Sequence, residues 1–274
     1  VGDWVKQPTP FLKFISMKYM VILCLLASIG TGVNAQFKKL VWSDEFNYSG
    51  LPDSTKWGYD VGGHGWGNNE KQFYTHARKQ NVFVQDGKLT IKAIKEKYEN
   101  NDFTSTRLIT KNKGDWKYGR VEVKAKLPNG RGIWPAIWML PTNWEYGGWP
   151  HSGEIDIMEH VGYLPDSVYG TVHTLAYHHS IGTHKSASIA KKDLSKKFHV
   201  YALEWTEDEM KMLVDEEVMF TFKNEKTGFA VWPFDKEFHL LLNVAVGGDW
   251  GGSRGIDESV YPQEMVVEYV RIYQ

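Results

Sequence analysis

From residue 37 to its end the chain is a succession of short β-rich runs separated by turns, and no long amphipathic helix breaks the series. That pattern most constrains the fold, because many short strands at regular spacing can bury a core only as a sandwich or a barrel. The clearest unit is a hairpin: residues 81–85 and 88–92 flank Asp86-Gly87, a pair suited to a two-residue turn. Further strands are expected at 37–42, 118–127, 134–140, 154–159, 167–173, 198–205, 210–214, 218–221, 238–246 and 265–273. Residues 191–197 suffice for a turn or two of helix. No linker, repeat or low-complexity tract divides residues 36–274, so a single domain is expected there. The predicted architecture is all-β, a jelly-roll sandwich of two curved antiparallel sheets, whose concave face admits a polymer as a closed eight-stranded barrel does not. Three glycine-rich, aromatic segments, 62–67, 146–149 and 247–252, are expected as loops around that cleft.

One strand is chemically unusual. Glu154, Asp156 and Glu159 are interleaved with Ile155, Ile157 and Met158. Strict alternation puts Glu154 and Asp156 on one face, but it would bury Glu159 among the aliphatics at a high desolvation cost. A β-bulge at Ile157-Met158 returns Glu159 to the acidic face. A row of like charges destabilises a strand, and a structural face would intersperse Lys or Thr, so the row points to function. Paired carboxylates suit glycosidic cleavage, one attacking or stabilising the anomeric carbon and one protonating the leaving oxygen. Crowding around Asp156 raises the pKa of the acid. A retaining mechanism places the carboxyls about 5 Å apart, whereas the bulged backbone spans roughly 13 Å, so curvature and leaning side chains must close the gap.

Composition narrows the partners. The 274 residues are 42% hydrophobic and 24% charged, as in ordinary soluble proteins, yet they include 12 Trp, which suits stacking on sugar rings. A formal net charge of −1 supplies no basic footprint for nucleic acid or an anionic membrane. Residues 17–35 read as a secretory signal peptide cleaved before Gln36, with residues 1–16 as an extension upstream of its start. The apolar run is too short for a permanent membrane span. The single cysteine, Cys24, lies in that leader, so the expected product has no thiol chemistry and is secreted or periplasmic. A monomer is expected.

These motifs resemble family 16 of the glycoside hydrolases. Residues 153–160 look like its signature in the longer, laminarinase-type form. Residues 42–46 (WSDEF), 67–70 (GNNE), 134–140 (WPAIWML) and 267–273 (VEYVRIY) resemble family landmarks in family order. The resemblance implies a β-jelly-roll and retaining double displacement, with Glu154 as nucleophile, Glu159 as acid/base and Asp156 orienting the nucleophile. It further implies Trp134 and Trp138 as a sugar platform, Asn68 and Arg107 as polar subsite residues, Trp250 as a stacking residue and His173 as a cleft histidine. Glucan-recognition proteins of related fold have lost the acids, so their presence favours an enzyme over a binding protein. The implied substrate is a β-1,3-glucan such as laminarin or a mixed-linkage β-1,3-1,4-glucan. Agarases and carrageenases share the bulged motif, but Trp-rich loops with few basic residues favour a neutral glucan. His151, directly before the motif, is expected to narrow a subsite.

No cofactor is expected for catalysis. His173, His178, His179 and His184 match no common zinc spacing. The resemblance does imply a structural calcium on the convex side, at Glu45, the backbone of Gly87 and Glu268, where relatives carry Asp in place of Glu268.

Overall fold

Asp86 and Gly87 both adopt positive φ, 52° and 69°, the conformation that a two-residue hairpin turn of matching twist requires. Gln85 pairs with Lys88 across them, as the sequence predicts. The computed structural model describes residues 1–2 and 37–274. The expected leader and its cleavage point therefore lie outside the described residues. The described fold belongs to the unit Asn34–Gln274.

Eighteen strands build it. The first six are β1 (Leu40–Asp44), β2 (Gly58–Asp60), β3 (Gln72–Tyr74), β4 (Val82–Gln85), β5 (Lys88–Tyr98) and β6 (Asn101–Ser105). Next come β7 (Arg107–Ile109), β8 (Asp115–Trp116), β9 (Gly119–Lys126), β10 (Ile133–Pro141), β11 (Glu154–Glu159) and β12 (Ser167–His173). The chain closes with β13 (Lys185–Ala190), β14 (His199–Trp205), β15 (Glu209–Val214), β16 (Glu217–Lys223), β17 (Phe238–Val246) and β18 (Gln263–Tyr273). One sheet runs β16-β15-β14-β9-β18-β5-β6-β3, with β1 on β18 and β4 on β5. The other runs β13-β12-β11-β10-β17-β7-β2, with β8 on β17. All pairings are antiparallel except β3 with β6, which is parallel. The two-sheet β-jelly-roll anticipated from the sequence is the fold observed.

Strands β11, β12 and β17 have the predicted limits, whereas β1 starts at Leu40 rather than at residue 37. Residues 191–197 form no helix. Asp193, at φ 65°, accepts from the amides of Lys196 and Lys197 and closes a turn instead.

The sheets meet over one apolar cluster. Ile137, Met139, Ile155, Ile157, Met158, Leu240, Leu242 and Val244 contribute from one sheet, and Val121, Val123, Leu203, Met212, Val267 and Ile272 from the other. Each such aliphatic side chain contributes about 1.5–3 kcal/mol on full burial. Because side chains alternate along a strand, the same packing turns the intervening residues of β10, β11 and β12 to the opposite face. That face carries the cleft.

Candidate active site

Register across the second sheet assembles the site. Glu154 stands opposite His173, Asp156 opposite both Trp138 and Thr171, and Glu159 opposite Ala136 and Tyr169. Between Asp156 and Glu159 β11 has one residue more than either neighbour, which is the bulge expected at Ile157-Met158. Ile157 and Met158 are both fully buried in the core, and Glu159 returns to the face of Glu154 and Asp156. The floor of a cleft of about 880 Å³ thus carries all three acids. Asn68, Arg107, Trp134, Trp138, His173 and Trp250, each singled out from the sequence, line the same cleft.

Burial and mutual repulsion govern the charges. Glu154 is pushed up to about 8, first by desolvation and then by the charge of Glu159, while Arg107 and hydrogen bonds from Trp149 and Asp156 oppose the rise. Glu159 is pushed up to about 7 by desolvation, against the hydrogen bond that Trp134 Nε1 donates to its Oε1 at 3.0 Å. Asp156 is held well above the usual carboxylate range by desolvation and by both glutamates. The rise at Glu154 includes the negative charge of Glu159, so Glu154 ionises more readily once Glu159 carries a proton. Glu154 also has the cationic and hydrogen-bonding support that favours its charged form. Near neutral pH the two glutamates therefore share a proton between them, and Asp156 hydrogen-bonds Glu154. Burial lowers the His173 imidazole to about 3, helped by repulsion from His179, His184 and His178, so it is neutral.

Aromatic walls flank the acids. Trp134 meets Trp250 edge-on at 5.6 Å, and Trp250 meets Tyr169 at 5.0 Å. The loop carrying Trp250 lies close because Gly251 has no Cβ; one would sit 2.7 Å from Trp134 Cβ. On the other side Arg107 lies between Trp66 and Trp138, 4.7 and 4.5 Å from their ring centroids, with Asp60 Oδ2 3.0 Å from its Nε. Trp138 Nε1 donates to Asn243 Oδ1, Asn243 Nδ2 to Tyr74 OH, and Tyr74 OH to Glu70 Oε2. Gln72 and Asn68 also donate to Glu70, whose carboxyl is raised by burial. This chain of bonds fixes Trp138 and the loop bearing Asn68 together.

Trp149, from the 146–149 segment expected at the cleft, lines it; Glu70, Tyr74, Tyr169, Asn243, His179 and His184 also line it and were not singled out as cleft residues from the sequence. Tyr169 and Asn243 sit at pleat positions shared with Glu159 and Ala136, a signal readable only once the register is known. His151 is a correction: it is exposed and absent from the cleft lining, and its ring packs beside Gly147 instead. The calcium set also reads differently in the structure. Glu45 is engaged by Arg271 at 2.9 and 2.8 Å, and Glu268 pairs with Lys124 at 2.7 Å. Gly87 occupies the β4–β5 turn. With both carboxylates already held by cations, the set in this arrangement does not fit a calcium ion.

Comparison with known proteins agrees with this geometry. The model of Glycosyl hydrolases family 16 matches residues 69–271. A β-glucanase of Rhodothermus marinus is 52% identical over 279 residues, 97% of this chain and 98% of that protein. The X-ray structure of the laminarinase from Rhodothermus marinus superposes with a TM-score of 0.85 at 53% identity, covering 86% of this chain and 97% of that one. A non-specific endo-β-1,3(4)-glucanase, co-crystallised with 1,3-β-D-cellotriosyl-glucose, gives a TM-score of 0.85 at 45% identity over 88% of this chain and 95% of its own. With a family match across most of its length and a relative of more than half its residues, the chain belongs to family 16 of the glycosyl hydrolases.

Proposed function

We propose that the protein is a secreted, retaining endo-β-glucanase that hydrolyses β-1,3-glucan of the laminarin type or mixed-linkage β-1,3-1,4-glucan. The observation that carries this reading is the bulge in β11, which puts Glu154, Asp156 and Glu159 on one face at the floor of an aromatic cleft. Glu154 attacks the anomeric carbon while Glu159 gives its proton to the leaving glycosidic oxygen. The glycosyl ester so formed is opened by water, whose proton returns to Glu159 as the oxygen bonds the same carbon. Two displacements leave the anomeric configuration unchanged. Asp156, donating to Glu154, orients it and shares its charge. Trp134, Trp138 and Trp250 supply stacking faces, and Asn68, Arg107 and His173 the polar contacts.

Among the described cleft residues Arg107 is the one Lys or Arg, and Asp60 already neutralises it. A sulfated galactan would find little to bind, which disfavours the carrageenase alternative, and the neutral agarose alternative is left to the substrate assay. Three intact acids and the elevated Glu159 favour turnover over non-hydrolytic glucan binding. Export rests on the leader-like stretch before Gln36, and the exported product is proposed to act as a monomer. Among the described residues no helix is long and apolar enough to cross a membrane. Proton NMR of the first products tests the mechanism: the β-anomer should form first and mutarotate afterwards, and early α-anomer would refute retention.

A further inference from the structure

The attacking carboxylate and two of its neighbours also form a set of ligand atoms that double displacement does not explain. Nε2 of His173 lies 3.7 Å from Oε1 of Glu154 and 3.5 Å from Oδ2 of Asp156. One ligand atom from each of the three residues falls within 4.8 Å of the other two. Asp156 is 3% exposed, and its Oδ2 is buried without a hydrogen-bond partner. His173 is 6% exposed. In a tetrahedral zinc site with ligands at 2.0–2.2 Å, neighbouring ligand atoms lie about 3.4 Å apart. The two spacings from His173 are close to that value. The set is built by the sheet and not by sequence spacing, since His173 stands opposite Glu154 across β11 and β12.

We propose that Glu154, Asp156 and His173 form a site for one borderline divalent transition cation, zinc or copper(II), and that its occupancy blocks the cleft in competition with substrate. An imidazole nitrogen with two carboxylate oxygens suits these ions. Calcium and magnesium require six or more oxygen ligands, and the buried imidazole supplies none. The fourth position opens toward the cleft, where the rings of His179 and His184 lie 5.2 and 5.9 Å from that of His173 and offer further nitrogen. A cation there ties up the Glu154 oxygen that would attack the anomeric carbon. Blocking rests on the glucanase reading; binding does not.

Titration calorimetry of the full chain with zinc chloride tests the site. One zinc per chain is expected, bound more than about tenfold more weakly by His173→Ala and by Asp156→Asn, and unchanged in His76→Ala, an exposed histidine away from the cleft. Melting curves of each variant confirm folding, and either folded variant suffices. A laminarin oligosaccharide should raise the apparent zinc Kd in wild type, and zinc should raise the KM for laminarin without lowering kcat. Zinc binding that persists in a folded His173→Ala or Asp156→Asn chain overturns the site. Binding with no effect of sugar on zinc, in a chain that does hydrolyse laminarin, overturns the competition. One-to-one binding that is lost with His173, in a chain inactive on every glucan, supports the site and refutes the glucanase reading instead.

Discussion

Glu159 does two jobs in the proposed cycle, and both depend on a pKa near neutrality. Burial raises it to about 7, so the basic limb of kcat/KM should fall near that pH and vanish in Glu159→Gln. That variant should lose about 10²- to 10⁴-fold in kcat on laminarin and far less on a glycoside with a good leaving group such as nitrophenolate, which needs no protonation. Equal losses on both substrates would mean that Glu159 is not the proton donor. The cluster also shapes stability. Glu154, Asp156 and Glu159 bind protons more tightly folded than unfolded, so stability present at low pH is lost as pH rises from about 4.5 to about 8. His173 acts in the opposite window: lowered to about 3, it sheds a proton on folding, and stability falls as pH drops from 6.5 toward that value. In melting scans from pH 5 to 9, Glu154→Gln should decline less than wild type, and a steeper decline would contradict the account. The acids were legible in the sequence because their alternation with isoleucine is costly without a purpose. Glu70 and Asn243 were not, because a polar residue on a strand looks the same whether it faces water or a buried bond.

At the scale of the element, the bulge in β11 decides the site. It could be inferred without coordinates, because an unbulged strand would bury a carboxylate among aliphatics. Deleting Met158 leaves Glu-Ile-Asp-Ile-Glu in strict alternation, so the three acids should keep one face without a bulge and turnover should survive, at a lower melting temperature from the lost core side chain; a deletion variant that folds yet has lost all turnover would refute the register argument. The β4–β5 turn offers a milder test away from the cleft. Gly87 sits at φ 69°, and an added Cβ would meet only Asn47 Oδ1 at an ordinary 3.9 Å, so Gly87→Ala should cost about 1 kcal/mol, chiefly through backbone strain, and leave kcat unchanged, as urea unfolding and laminarin assays can check. Most strands missed in the sequence lack a pattern of their own, the five-residue β6 being the exception. Strands β2, β3, β7 and β8 are only two or three residues long, and β13 is a largely exposed edge strand. Neither kind has enough alternation to stand above a loop. Their places are set by neighbours, as when Asp60 on β2 pairs with Arg107 on β7.

For the whole molecule, the two-sheet architecture followed from many short strands and no long amphipathic helix, while the strand order that brings Arg107, Trp138 and Asn243 beside the acids came from long-range pairing that no local pattern encodes. The 10-stranded sheet is centred on β9, β18 and β5, so the last residues of the chain lie in the middle of the fold. Removing residues 263–274 should therefore abolish folding, whereas a chain starting at Gln36 should keep both fold and activity; loss of the fold in the shorter leader-free chain would contradict the proposed domain. The most direct test of the central claim is reducing-end release on laminarin, mixed-linkage glucan, agarose and carrageenan, beside Glu154→Gln. Release from the two glucans alone, lost in a variant that still folds and binds glucan, is the predicted result. Release from agarose or carrageenan, or undiminished turnover by Glu154→Gln, would contradict it.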